Sequence, residues 1–284
     1  MLNFINYLFK NKLIPFFFIS FLCLNSSLSS AQKTCEETFS KTQSLNDKSN
    51  INLIVFKKYL STFINMYSIH EMNDQNLPFL HVAVENGDND LVKALIHNGE
   101  NFNINALDKY GNTALHIAVW NGYINIVQIL LKNKADVNIK GTLGTILHIA
   151  VQKKYYNIVK ILLNHKATDV NLKDINDSTA LIIAVIMGHN EIVQMLLNHK
   201  STDVNLKDSL GSTALIIAVV MRRNQIVQML LNHKSTDVNL KHRKGYTPLD
   251  LSLNRDHEIN ELLQNNGAIN SNWFRKIIQK LIMR

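Results

Sequence analysis

Apolar residues return along this chain in pairs of short bursts, each pair filling about 34 residues. The first burst follows a threonine: Thr113-Ala-Leu-His116, Thr145-Ile-Leu-His148, Thr179-Ala-Leu-Ile182, Thr213-Ala-Leu-Ile216 and Thr247-Pro-Leu-Asp250. The second reads Ile126-Val-Gln-Ile-Leu-Leu131, with near copies beginning at Ile158, Ile192 and Ile226. Leu80, Leu115, Leu147, Leu181, Leu215 and Leu249 align at spacings of 35, 32, 34, 34 and 34. Each unit closes on Asp-Val-Asn, ending at Asn138, Asn171, Asn205 and Asn239. Residues 164–197 and 198–231 differ at only eight of 34 positions, as a recent internal duplication would leave them.

This spacing predicts two helices per unit. A threonine ahead of an apolar run can cap a helix with its hydroxyl, and Pro248 sits where a first helical residue needs no N–H. The first helix is short, as over 179–187. The second, as over 191–199, gathers Ile192, Val193, Met195, Leu196 and Leu197 on one broad face. Neither helix can bury such a face alone, so successive units must stack. Gly87, Gly122 and Gly188 follow the first helix, where a left-handed residue ends it. Lys154, Arg222 and Asp256 stand in the same column. Each costs roughly 1 kcal/mol if it keeps that conformation, which predicts less regular third, fifth and sixth units. One residue is added before Asp169, Asp203 and Asp237, and one is missing near Gly141, so length changes fall at the tips.

These strings resemble the ankyrin repeat, with its T-P-L-H-x-A, G-H-x-E-I-V-x-L-L-L and D-V-N segments. The resemblance covers 73–268 in six units: 73–107, 108–139, 140–173, 174–207, 208–241 and 242–268. It implies an all-α repeat fold, a curved solenoid of helix-turn-helix units joined by β-hairpin loops. It also implies that His81, His116 and His148 hydrogen-bond neighbouring units, and that a protein partner binds across hairpin tips and first helices. The columns five and six residues after each aligned leucine vary in that family and face partners. Here they hold Trp120, Ile186, Met187, Val220 and Met221, apolar groups on a surface where charge is easily placed. Tyr110 and Tyr246 at tips flank them, which makes seven candidate partner-binding residues.

The ends read differently. Lys10 and Lys12, an apolar run over 13–24 and Ser29-Ser30-Ala31 have the order of a secretory signal peptide, with cleavage after Ala31. The competing reading is an uncleaved membrane anchor, although the run is shorter than the roughly 20 residues a spanning helix needs. Residues 32–50 form a polar linker. Over 51–72, Val55, Tyr59, Leu60 and Phe63 share one side of a helix that would cover the first unit. In 269–284, Trp273, Phe274, Ile277, Ile278, Leu281 and Ile282 alternate with Arg275, Lys276, Gln279 and Lys280 up to Arg284, a basic amphipathic helix. Its spacing suits a cap on the sixth unit, a membrane-surface element or a partner dock.

Composition narrows the function. Hydrophobic residues at 46% exclude a wholly disordered chain, and two cysteines exclude a disulfide scaffold or Cys-rich zinc module. Of the formal charge of +8, six come from Lys10, Lys12, Arg275, Lys276, Lys280 and Arg284 at the two ends. A basic nucleic-acid-binding face is therefore not expected. His165, His199 and His233 recur like a metal ladder, but stacked helices lie about 8–10 Å apart and zinc needs ligands at roughly 2.0–2.1 Å. Lys134, Lys166, Lys200 and Lys234 form one basic column, and Lys140, Lys173, Lys207 and Lys241 another. Nearby aspartates offset both in a solvated charge ladder. No nucleophile–base motif or phosphate-binding glycine loop is present. No cofactor or metal is expected, and the chain reads as a monomeric, non-catalytic protein-binding scaffold that is exported. An Asn-, Ile- and Lys-rich composition suits an AT-rich genome such as that of an intracellular bacterium. Together with the resemblance to exported bacterial ankyrin proteins, that implies an effector engaging host proteins. The alternative is an envelope assembly protein held at the membrane by its tail.

Overall fold

The computed structural model describes residues 79–97, 103–252 and 256–271. The predicted leader (1–31), linker (32–50), N-terminal cap (51–72) and tail from residue 272 onward lie outside the described residues. The chain divides into two compact bodies, residues 1–69 with 94–101, and residues 70–93 with 102–284. Of the first body, the described residues are 94–97, the end of one helix.

The helices come in pairs: α1 Phe79–Glu85 and α2 Asn89–His97; α3 Ala114–Trp120 and α4 Ile124–Lys132; α5 Ile146–Gln152 and α6 Tyr156–Asn164; α7 Ala180–Met187 and α8 Asn190–Leu197; α9 Ala214–Val220 and α10 Asn224–Leu231; α11 Pro248–Ser252 and α12 His257–Asn265. In the second body the first helices pack in series, α1 on α3 and onward to α11, and so do the second helices from α4 to α12. The fold is all-α. Among the described residues, β structure is limited to two isolated antiparallel bridges at the tips, Gly141 with Gly144 and Lys173 with Thr179.

Local chemistry explains each pair. The Thr113, Thr179 and Thr213 hydroxyls accept the N–H three residues on, at 3.4, 3.3 and 3.3 Å, capping α3, α7 and α9. Ile126, Val127 and Leu130 of α4, with their counterparts in α6, α8 and α10, are at most 1% exposed. Each such burial contributes about 1.5–3 kcal/mol. The buried rows meet between neighbouring pairs, so the core is one continuous strip.

The left-handed column follows the prediction in part. Gly87, Gly122 and Gly188 have φ of 67°, 72° and 70°. Lys154 and Arg222 keep the same conformation, at 60° and 55°. Asp256 does not: its φ is −153°, and its carboxylate accepts the Ile259 N–H to cap α12. A short carboxylate can exchange the turn for a cap, whereas lysine and arginine cannot. The tip lengths have equally local causes. His165, His199 and His233 each open a turn closed by the N–H of Thr168, Thr202 or Thr236 at 3.0 Å. The second repeat uses a left-handed Lys134 there instead. The shortened third tip is a two-residue hairpin in which Gly141 and Gly144 exchange backbone hydrogen bonds at 2.9 and 3.1 Å.

Candidate partner-binding surface

The tips are shaped by aspartates. The Oδ1 of Asp108 accepts the N–H groups of Tyr110 and Asn112 at 2.8 Å. Asp174 does the same for Asn176 and Ser178, and Asp208 for Leu210 and Ser212. Because the carboxylate closes the turn from inside, the tip side chains point outward.

All seven predicted residues are on the surface, between 38% and 62% exposed. Ile186 and Met187 end α7, Val220 ends α9 with Met221 as its C-cap, and these two helices pack together. They form an apolar quartet. Trp120 is separated from it by α5, whose end carries Gln152 and Lys153. The Lys153 ammonium lies 3.5 Å above the centre of the Trp120 ring, so this indole is partly covered from within the chain. Tyr246 stacks obliquely on His242 at 5.4 Å. Sequence reasoning missed Leu107, Leu143, Ile175, Leu210 and Ile269, also exposed. A signal was present: at the duplicated tips Ile175-Asn176 is answered by Ser209-Leu210, so each copy keeps one apolar residue.

Inter-repeat hydrogen bonds from histidine and lysine side chains help hold these columns in register. In the first three repeats histidines do it. His81 Nε2 donates to the Asn112 carbonyl at 2.9 Å, His148 Nε2 to the Ser178 carbonyl at 3.1 Å, and the Gly141 N–H donates to His116 Nε2 at 3.1 Å. Burial pushes all three imidazoles below the usual histidine range, against their hydrogen bonds and the nearby aspartate charges, so they are neutral. In the next two repeats the column holds buried Ile182 and Ile216. The Lys173 ammonium of the third repeat donates to the Lys207 carbonyl of the fourth at 2.7 Å, beside the His148 bond, and Lys207 donates to the Lys241 carbonyl of the fifth at 2.9 Å. These lysines are not members of a charge ladder paired to aspartates; they are structural donors. In the sixth repeat, burial pushes the Asp250 carboxyl up, but hydrogen bonds from Ser271 and Thr247 carry it below its ordinary value.

Among the described residues, no three His, Cys, Asp or Glu are placed to hold a metal ion, and no helix is long and apolar enough to cross a membrane. An open groove of about 280 Å³ lies between α2 and α4, lined by Asn89, Lys93, Asn125, Gln128, Ile129 and Lys132.

Known proteins agree with this architecture. The family model described as "Ankyrin repeats (3 copies)" matches residues 49–141, 142–208 and 200–272. The ankyrin repeat domain of Bcl-3, described as a unique member of the IkappaB protein family, superposes with a TM-score of 0.68 at 27% identity, covering 75% of this chain and 93% of that one. An ankyrin repeat domain from Acinetobacter baumannii AYE gives 0.61 at 32% identity, covering 67% and 98%. No curated protein sequence matches the chain.

Proposed function

Because the chain belongs to the ankyrin repeat family, whose repeats serve as protein–protein interaction scaffolds, we propose that it is an exported, non-catalytic binding protein whose partner contacts the quartet of Ile186, Met187, Val220 and Met221. The observation that carries this reading is the placement of four exposed apolar side chains on two adjacent helix ends, beside residues that are fully buried. Contiguous apolar groups of this kind supply anchor contacts, and the polar tips around them supply selectivity. The surface is held by hydrogen-bonded turns on packed helices, so little entropy is lost when a partner docks. Trp120, Tyr110 and Tyr246 lie outside the quartet and extend the contact. Export rests on the leader, from Lys10 to Ala31.

A photo-crosslinking amino acid at position 187, compared with one at the exposed Gln194 of α8, tests the surface in living producer cells. A protein adduct specific to position 187 is expected; equal labelling at both positions would remove the assignment. Fractionation of producing cells and any host cells tests the rest. Mature chain in host cytosol identifies an effector, and retention in the envelope identifies an assembly protein. A full-length chain left in the cytosol overturns export.

A further inference from the structure

The quartet is bordered by an unusual set of cations. We propose that the turn edge of repeats three to five selects acidic protein segments: Lys153, Lys154, Arg222 and Arg223 pair with carboxylates while Ile186, Met187, Val220 and Met221 seat adjacent apolar side chains. This rests on the quartet being a partner surface and names the partner's chemistry.

Backbone strain is the first observation. Lys154 and Arg222 are exposed and left-handed, at φ of 60° and 55°, where three other repeats use glycine. The conformation costs a non-glycine residue about 1–2 kcal/mol; the Lys154 ammonium reaches over the Tyr156 ring at 5.8 Å, and the Arg222 side chain is exposed. Strain kept at an exposed position is a reason to look for function.

The duplicated repeats provide the second. Of the eight differences between residues 164–197 and 198–231, four alter charge: Asp177/Gly211, Gly188/Arg222, His189/Arg223 and Glu191/Gln225. All four make the fifth repeat more positive than the fourth. Undirected drift has no reason to align them.

Geometry is the third. The Arg223 guanidinium lies against the fourth repeat, donating to the Ile186 carbonyl at 3.5 Å, and a Cβ on Gly188 would stand 2.7 Å from its Nη1. Burial, with the charges of Lys154 and Arg223, holds the His189 imidazole below the usual histidine range. Lys153 is at the same level, over Trp120. Among the described residues none of the four cations is in an ion pair. Over 120–127, 152–159, 186–193 and 220–227, Glu191 is the only acid. The strip ends at the sixth repeat, where Asp256 and Glu258 appear and Glu258 accepts from Asn224. Four cations around an apolar quartet fit a carboxylate-bearing amphipathic segment better than a nucleic acid backbone, which needs a longer basic track.

The test pans the full chain against a random linear peptide library and measures selected peptides by fluorescence anisotropy. Selected peptides should combine carboxylates with large apolar residues and bind more weakly in about 0.5 M salt. Lys154→Gln with Arg222→Gln should reduce affinity roughly fivefold. Lys154→Gly with Arg222→Gly should reduce it equally while raising the melting temperature, which separates lost binding from lost folding. Peptides without an acidic excess, peptides indifferent to both charge variants, or no selected peptide at all would overturn the proposal. Peptides sensitive to Met187→Ser with Met221→Ser, but not to the charge variants, would keep the surface and remove its acidic preference. Tighter binding by a single-stranded DNA oligonucleotide or phosphatidylserine vesicles through these residues would replace a protein partner with a polyanion.

Discussion

Asn171 joins its own repeat to the next through one side-chain amide: its Oδ1 accepts the Asp203 N–H at 2.9 Å, and its Nδ2 donates to the Ser201 carbonyl at 2.7 Å. Asn138 does the same with Asp169 and Ala167, Asn205 with Asp237 and Ser235, and Asn239 with Ile269 and Gly267. Each Asp-Val-Asn is therefore also a link in a ladder. The aspartate caps its own asparagine's N–H, at 2.9 Å for Asp169 with Asn171, and so orients the amide.

Asn171→Ala removes two bonds across a repeat boundary and leaves an N–H and a carbonyl to water. A loss of about 1–2 kcal/mol is expected, read as a lower urea midpoint. An unchanged midpoint would show that the ladder does not contribute to stability.

Acid should weaken the first three repeats. His81, His116 and His148 have folded pKa values below the unfolded 6.5, chiefly from burial. The unfolded chain thus binds more protons as pH drops below about 6.5. Their contribution is complete above that value and declines as pH falls toward the folded pKa values. Urea midpoints should fall between pH of about 7.5 and 5, and His148→Gln should fall by less over that range. Equal slopes for the two proteins would refute the assignment.

Two glycines separate crowding from backbone conformation. A Cβ on Gly141 runs into Asn112 Oδ1 and approaches the His116 ring to 2.9 Å, whereas Gly111 has open space and a φ of 77°. Gly111→Ala should cost about 1 kcal/mol through the left-handed backbone alone. Gly141→Ala should cost about 2 kcal/mol or more by displacing an inter-repeat contact. Thermal melts of both variants in one buffer decide, and the reverse order would contradict this account.

Lys134 carries a left-handed backbone, at φ 65°, away from the candidate surface. Lys134→Gly should stabilise by about 0.5–1 kcal/mol, since relief of strain exceeds the entropy that glycine adds to the unfolded chain. A lower melting temperature would mean that the lysine stem packs usefully after all.

Much of this molecule is determined locally. The period, the threonine caps, the apolar faces of the second helices and the left-handed column depend on residues within a few positions of one another, and pattern alone locates them. The outward placement of Trp120, Ile186, Met187, Val220 and Met221 also follows, because a helix with one buried face must expose the other. What lies 28 to 34 residues apart could not be read this way. Only packed repeats bring Asn171 to Ser201, Lys173 to the Lys207 carbonyl, or Lys153 over Trp120. Lys154 and Arg222 keep the turn while Asp256 leaves it for a cap. That choice follows from which side chain can satisfy the next helix's N–H groups, and it is settled only when both helices are in place.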